Sequence, residues 1–136
     1  SMNRWLTILF GILFVCLSAN AQTKNNQIEE PQFPGGRKGL LKYLEENIVY
    51  PEEMRRLSKE GEVIVAFIVE RDGVISGVSI VKSLTKEFDE EAIRLVRYMP
   101  YWIPGKKNGV PVRYRMTMPI NFKFKVQNKK HGYKAL

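Results

Sequence analysis

From Val110 to Val126 the chain alternates without a break. Val110, Val112, Tyr114, Met116, Met118, Ile120, Phe122, Phe124 and Val126 fall on one face of an extended strand. Pro111, Arg113, Arg115, Thr117, Pro119, Asn121, Lys123 and Lys125 fall on the other. A period of two held over 17 residues predicts a half-buried strand and excludes a helix. One face must meet a core, and the other presents cations to solvent. Pro119 has no N–H to donate to a ladder, which places this strand at a sheet edge. An edge strand offers unpaired N–H and C=O groups to any extended chain that comes alongside. Its basic residues have a simpler role open to them as well, because charge on an edge keeps sheets from aggregating.

The rest of the chain supplies what such a strand needs to pack against. Glu62–Glu70 reads EVIVAFIVE, an apolar run rich in β-branched residues that belongs in the middle of a sheet. Asp72-Gly73 is a two-residue hairpin signal, and the strand returns over Val74–Leu84. With Arg71 opposite Val74, Phe67 faces Val78 and Val65 faces Ile80. Upstream, Phe33-Pro34-Gly35-Gly36 marks a turn, and Leu40, Leu41, Leu44 and Ile48 recur at helical spacing. That helix stops before Pro51, which opens a second, short helix with Glu52 and Glu53 at its positive end and Met54 and Leu57 as its buried side. Thr85 predicts the cap of a third helix, with Phe88, Ala92, Leu95, Val96 and Met99 as its apolar stripe. Trp102-Ile103-Pro104-Gly105 is a crossing segment, and Lys106–Gly109 reads as a turn. The order is α-α-β-β-α-β. It predicts an α+β fold with a three-stranded antiparallel or mixed sheet of order 2-1-3, helices on one face, and the long third strand as a free edge.

The N-terminal segment is read as an address. Ser1, ahead of Met2, is taken as an addition outside the natural chain. Residues 2–21 contain Arg4, then 13 residues without charge from Trp5 to Leu17, then Ser18-Ala19-Asn20-Ala21. This predicts a signal peptide cut before Gln22, because a spanning helix needs about 20 apolar residues. Residues 22–32 are expected to be a flexible leader, 33–126 the domain, and 127–136 a basic tail. The net charge of +8 would suggest nucleic acid in a cytosolic protein. Export argues against that partner and favours an acidic peptide or anionic envelope surface.

Catalytic patterns are missing. The lone Cys16 lies in the segment to be removed, and the lone His131 lies in the tail without a second ligand nearby. Glu87, Asp89, Glu90 and Glu91 are spaced as a helix start rather than as an acid/base pair. Gly35-Gly36-Arg37-Lys38-Gly39 lacks both the Gly-Lys-Ser/Thr ending and the preceding strand of a phosphate loop. The expectation is a protein that is not an enzyme, with no cofactor and no metal.

Several short pieces taken together resemble the TonB C-terminal domain family. They are Phe33-Pro34-Gly35-Gly36, Tyr50-Pro51, Glu60-Gly61-Glu62-Val63, Asp72-Gly73, Phe88-Asp89-Glu90-Glu91-Ala92, Met99-Pro100-x-Trp102-x-Pro104-Gly105, Gly109-Val110-Pro111-Val112 and Pro119-Ile120-Asn121-Phe122. The likeness spans about residues 33–126. It implies a periplasmic domain that grips the short TonB box at the N-terminus of outer-membrane receptors. In the family the box pairs with the last strand, near the Tyr-Pro segment. Carried onto this chain, that implies a peptide site made of Val112, Arg113, Tyr114, Arg115, Met116, Thr117 and Met118, with Tyr50 and Pro51 alongside. Family domains also pair with one another, so a homodimer through the same edge is implied as a competitor. The chain departs from a full transducer: no long Pro-rich spacer is present, and an 11-residue leader reaches at most about 40 Å. The apolar run also lacks the His that family anchors carry. The expectation is therefore a stand-alone exported domain. A membrane-anchored transducer is the alternative if the N-terminal segment is retained.

Overall fold

The apolar run Glu62–Glu70 lies in the middle of a sheet in the computed structural model, which describes residues 26–124. The elements in chain order are β1 (Ile28–Glu29), α1 (Gly36–Asn47), α2 (Glu52–Arg56), β2 (Gly61–Val69), β3 (Ile75–Lys82), α3 (Lys86–Arg97), β4 (Lys106–Lys107), β5 (Val110–Pro111) and β6 (Tyr114–Phe122). The main sheet has the order β3-β2-β6, with β2 antiparallel to both neighbours. A second, small sheet has the order β1-β4-β5. The fold is α+β.

One face of the main sheet carries the core. Val63, Val65, Phe67 and Val69 of β2 are buried there, as are Met118, Ile120 and Phe122 of β6. α3 lays Phe88, Ala92, Leu95 and Val96 onto them, and Met99 follows just past its end. Its first turn is capped by the Thr85 hydroxyl, which accepts from Phe88 N–H at 3.2 Å. Each fully buried large apolar side chain is worth about 1.5–3 kcal/mol, and this layer holds β6 against β2.

Four expectations need correction. The β2–β3 loop has three residues, not two. Glu70 N–H donates to Val74 C=O and Gly73 N–H to Glu70 C=O, both at 2.9 Å, and the first strand pair is Val69–Ile75. Gly73 takes φ +88°, and a Cβ there would stand 2.1 Å from the Trp102 carbonyl oxygen, so the crossing segment sits directly on the hairpin. The longer loop shifts the register by one. A bulge near Gly77 (φ +57°) shifts it back, because an extra residue there lets Ala66 pair with Ser79. Val65 therefore does face Ile80, through two compensating irregularities, while Phe67 has no regular partner on β3.

Leu41 and Leu57 are about half exposed rather than core. Tyr43 takes the inward place on α1, with its hydroxyl donating to Leu95 C=O at 2.8 Å. The long last strand is divided. Asn108 (φ +52°) and Gly109 (φ +79°) form a tight hairpin turn that folds Val110–Pro111 back onto Lys106–Lys107. Val112 and Arg113 bridge to β6, which begins only at Tyr114. The last part of the expected leader is built into the domain: Ile28–Glu29 pairs with Lys106–Lys107, Gln32 bridges Ile103, and Pro31 is buried. The polar composition of that segment hid backbone pairing, which needs no apolar side chains. The expected signal peptide 1–21, residues 22–25, Lys125, Val126 and the expected basic tail 127–136 lie outside the described residues. Among the described residues no helix is long and apolar enough to cross a membrane.

Candidate functional site: the free edge of β6

β6 pairs with β2 without interruption over nine residues, from Tyr114–Val69 to Phe122–Gly61. No described strand pairs with its other side. β3 is the other outer strand of the sheet, but its register with β2 breaks twice. Bulges of that kind twist an edge and blunt it toward further pairing. β6 is thus the regular edge.

Three observations determine which of its backbone groups face outward. Glu70 N–H donates to Val74 C=O on the β3 side, so even-numbered residues of β2 point to β3 and odd-numbered ones to β6. The odd β2 residues oppose Tyr114, Met116, Met118, Ile120 and Phe122, which are therefore the residues bonded to β2. Phe124 N–H points the same way and donates to a Glu60 carboxylate oxygen at 2.8 Å. Pro119, without an N–H, has its nitrogen on the outer side, where no ladder bond is lost. Arg115, Thr117 and Asn121 then each present an N–H and a C=O to the open edge, and Pro119 presents a C=O alone.

The expected site residues divide accordingly. Tyr114, Met116 and Met118 are in the edge strand but spend their backbone on β2. Arg115 and Thr117 are in the strand and open. Val112 is outside the strand, and its N–H is taken by Gly105 C=O at 2.9 Å. Arg113 is also outside, and its Nε donates to both Glu70 carboxylate oxygens at 2.8 and 3.1 Å. The Glu70 carboxyl, bound by Arg113 and by the Ser76 hydroxyl, is held below the usual glutamate range. The Arg113 guanidinium is correspondingly raised by the Glu70 bond. Arg113 is thus a neutralised strut between β2 and the entry to β6. Arg115 makes no ion pair among the described residues and is the open cation.

Tyr50 and Pro51 stand at the opposite end of β6. The Tyr50 ring stacks on Phe124 at 4.9 Å and meets Phe88 and Phe122 edge-on at 5.5 and 6.1 Å. Its hydroxyl donates to Lys59 C=O. Burial pushes that hydroxyl above the ordinary tyrosine value, with the Glu60 carboxylate adding to it. Tyr114 and Phe122 are about 27 Å apart at strand rise, so Tyr50 reaches only the far end of the edge. Asn121, next to that end, was missed by the sequence reading. The parity of Pro119 could have found it, since residues two apart share a direction.

A second group missed from sequence holds this end in place. Glu91 is buried, and its carboxylate accepts from Val49 N–H and from Arg94. Arg94 also donates to Asn47 C=O at 2.8 Å, satisfying a carbonyl at the end of α1. The Arg94 guanidinium is raised chiefly by its bonds to Glu91. This clamp ties α1 to α3 one residue before Tyr50. No group of three or more Asp, Glu, His or Cys side chains that could hold a metal occurs among the described residues.

The architecture is a small antiparallel sheet with helices on one face and a last strand that is paired on its inner side only. The family model of the Gram-negative bacterial TonB protein C-terminal domain matches residues 46–124, and the chain belongs to that family. Among solved structures, a Helicobacter pylori TonB C-terminal domain (its residues 179–285) is 22% identical, with a TM-score of 0.48 over 63% of this chain and 78% of that one. A shorter form of the same domain (residues 194–285) is 20% identical, with a TM-score of 0.49 over 63% and 90%. The Pseudomonas aeruginosa TonB C-terminal domain is 27% identical, with a TM-score of 0.44 over 57% and 78%. A search of curated proteins finds no match.

Proposed function

We propose that this chain is an exported, periplasmic TonB C-terminal-like domain that binds an extended peptide as an added strand on β6. The partner is the N-terminal TonB box of an outer-membrane receptor, and the domain supports TonB-dependent transport by binding rather than by catalysis. It needs no cofactor. The supporting observation is the regular, open edge of β6, with Arg115, Thr117 and Asn121 presenting their backbone outward. The same open edge is available to a second copy, and self-pairing is the competing reading. A retained N-terminal segment would make the protein a membrane-tethered one; N-terminal sequencing of exported protein separates the two.

The test is an amide-resolved NMR titration of the full chain with peptides from receptor N-termini. Arg115, Thr117 and Asn121 amides should shift and become protected from exchange, with Met116 and Met118 protected throughout. If those three amides stay put at saturating peptide, the proposal fails. Sedimentation at several concentrations tests self-pairing, which a strict monomer excludes.

A further inference from the structure

Two cavities lie along the helix side of the β6 edge. One, of about 290 Å³, is walled by Phe33, Leu40, Trp102 and Met116, with Arg37 beside them. The other, of about 280 Å³, is walled by Leu41, Leu44, Ile48 and Ile120, with Glu45 beside them. Both fall just below the roughly 300–1,000 Å³ of small-molecule sites, and each suits a side chain. Pro119 and Asn121 also line the second cavity. Consecutive strand residues point to opposite faces, so this cavity reaches the backbone edge itself.

The geometry of an added strand turns these cavities into a sequence rule. The inference rests on the strand-addition reading above. A visiting strand matches β6 one residue for one. Met116 and Ile120 are four apart, about 13 Å along the strand, so the visitor's side chains beside them are four apart and share a face. The place between them lies beside Met118, which is already buried. The visitor's opposite face looks toward Arg115. Leu41, half exposed on α1, is an apolar group that the visitor would cover.

We infer that the docked peptide carries two apolar residues four apart, facing α1, and an acidic residue immediately outside the one beside Met116, facing Arg115. Arg113 is neutralised by Glu70, so at the Tyr114 end of β6 the acidic preference falls on Arg115, while the exposed Lys123 lies beyond Phe122, outside the two apolar places. The pattern reads acid-Φ-x-x-x-Φ in a parallel visitor and Φ-x-x-x-Φ-acid in an antiparallel one, where Φ is apolar.

Synthetic ten-residue peptides of one composition test this on the full chain. One has Leu at spacing four with Glu outside, one has Leu at spacing three, and one has spacing four with Glu moved to the helix side; each is made in both directions. Affinity comes from calorimetry, and the contact is located by Arg115, Thr117 and Asn121 amide shifts. The first peptide should bind at least about tenfold tighter than the others in one direction. Leu41→Ser, on an exposed side chain, should weaken it several-fold without affecting the spacing-three peptide. Arg115→Gln should remove the Glu preference. Equal affinities with edge amides shifting would overturn the spacing rule and leave strand addition standing. No edge shift with any peptide would overturn both. Edge amides already protected in free protein, in proportion to concentration, would place a second copy in the groove and overturn the inference.

Discussion

Thr117→Pro tests the outward phase of β6, on which the site depends. In the assignment above, Thr117 N–H points away from β2, as the Pro119 nitrogen does. Proline at 117 then removes no ladder bond, and the exposed threonine side chain takes little packing with it. The main cost is bending an extended φ near −140° toward about −65°, about 1–2 kcal/mol. Met118→Pro is the contrast. Met118 pairs with Val65, which is fully buried. Losing the 118 N–H orphans the Val65 carbonyl, about 1–3 kcal/mol on top of the same φ cost. Met118→Ala measures the side-chain loss separately, about 2–5 kcal/mol. Stability for about 100 ordered residues is about 5–15 kcal/mol, so Thr117→Pro stays folded while Met118→Pro approaches unfolding. Urea unfolding followed by circular dichroism gives each difference. Thr117→Pro should remain within about 2 kcal/mol of wild type and lose peptide binding, because two neighbouring outward N–H sites, 117 and 119, are then missing. If Thr117→Pro instead costs as much as Met118→Pro beyond Met118→Ala, the phase is inverted and the site assignment is wrong.

Other outcomes follow from the clamp, the hairpin and the strut. Glu91→Ala should cost about 2–3 kcal/mol by leaving Val49 N–H and Arg94 without their acceptor, lowering Tm by about 8–20 °C, whereas exposed Glu90→Ala stays within about 0.5 kcal/mol; equal effects would remove the clamp. Gly73→Ala should cost well over 3 kcal/mol, combining positive φ with the close Trp102 carbonyl. Gly109→Ala, with open space around it, should cost only about 1–2 kcal/mol for its φ. Chemical denaturation of the two variants checks the ordering. The lowered Glu70 carboxyl means folding favours its ionised form, so its contribution is complete at neutral pH and fades as pH falls through the usual glutamate range toward the folded value. The stability gap between wild type and Glu70→Gln, measured from pH 7 to pH 3, should therefore narrow with acid; a gap that widens would refute the strut.

Much of the architecture was legible because it depends on local periodicity. The apolar run 63–69, the stripe Phe88-Ala92-Leu95-Val96 and the Thr85 cap each follow from side-chain order and hydrogen-bonding chemistry that act within a few residues. The alternation after Val110 predicted an edge strand, and the single Pro119 carried that inference. Alternation could not say where pairing stops. Asn108-Gly109 turns Val110–Pro111 into a separate ribbon; the Asn-Gly pair carries that hairpin signal in the sequence, and a plain turn over Lys106–Gly109 leaves it unused. The Gly77 bulge corrected a register that the three-residue loop had shifted, and neither is visible without a partner strand.

What sequence alone determined was which faces are apolar and that the last strand lies at an edge, because both are properties of one segment. Only tertiary structure decided how charges and backbone donors are spent. Glu91 looked like one more helix-start carboxylate until α1 brought Val49 N–H to it and the Asn47 carbonyl to its partner Arg94. Arg113 looked like a free cation until the hairpin set Glu70 against it, and Tyr50, expected alongside Val112–Met118, packs its ring on Phe124 beyond the far end of β6. The physical reason is that hydrogen bonds and ion pairs act over a few ångströms between groups far apart in sequence, so their partners exist only once the chain has folded.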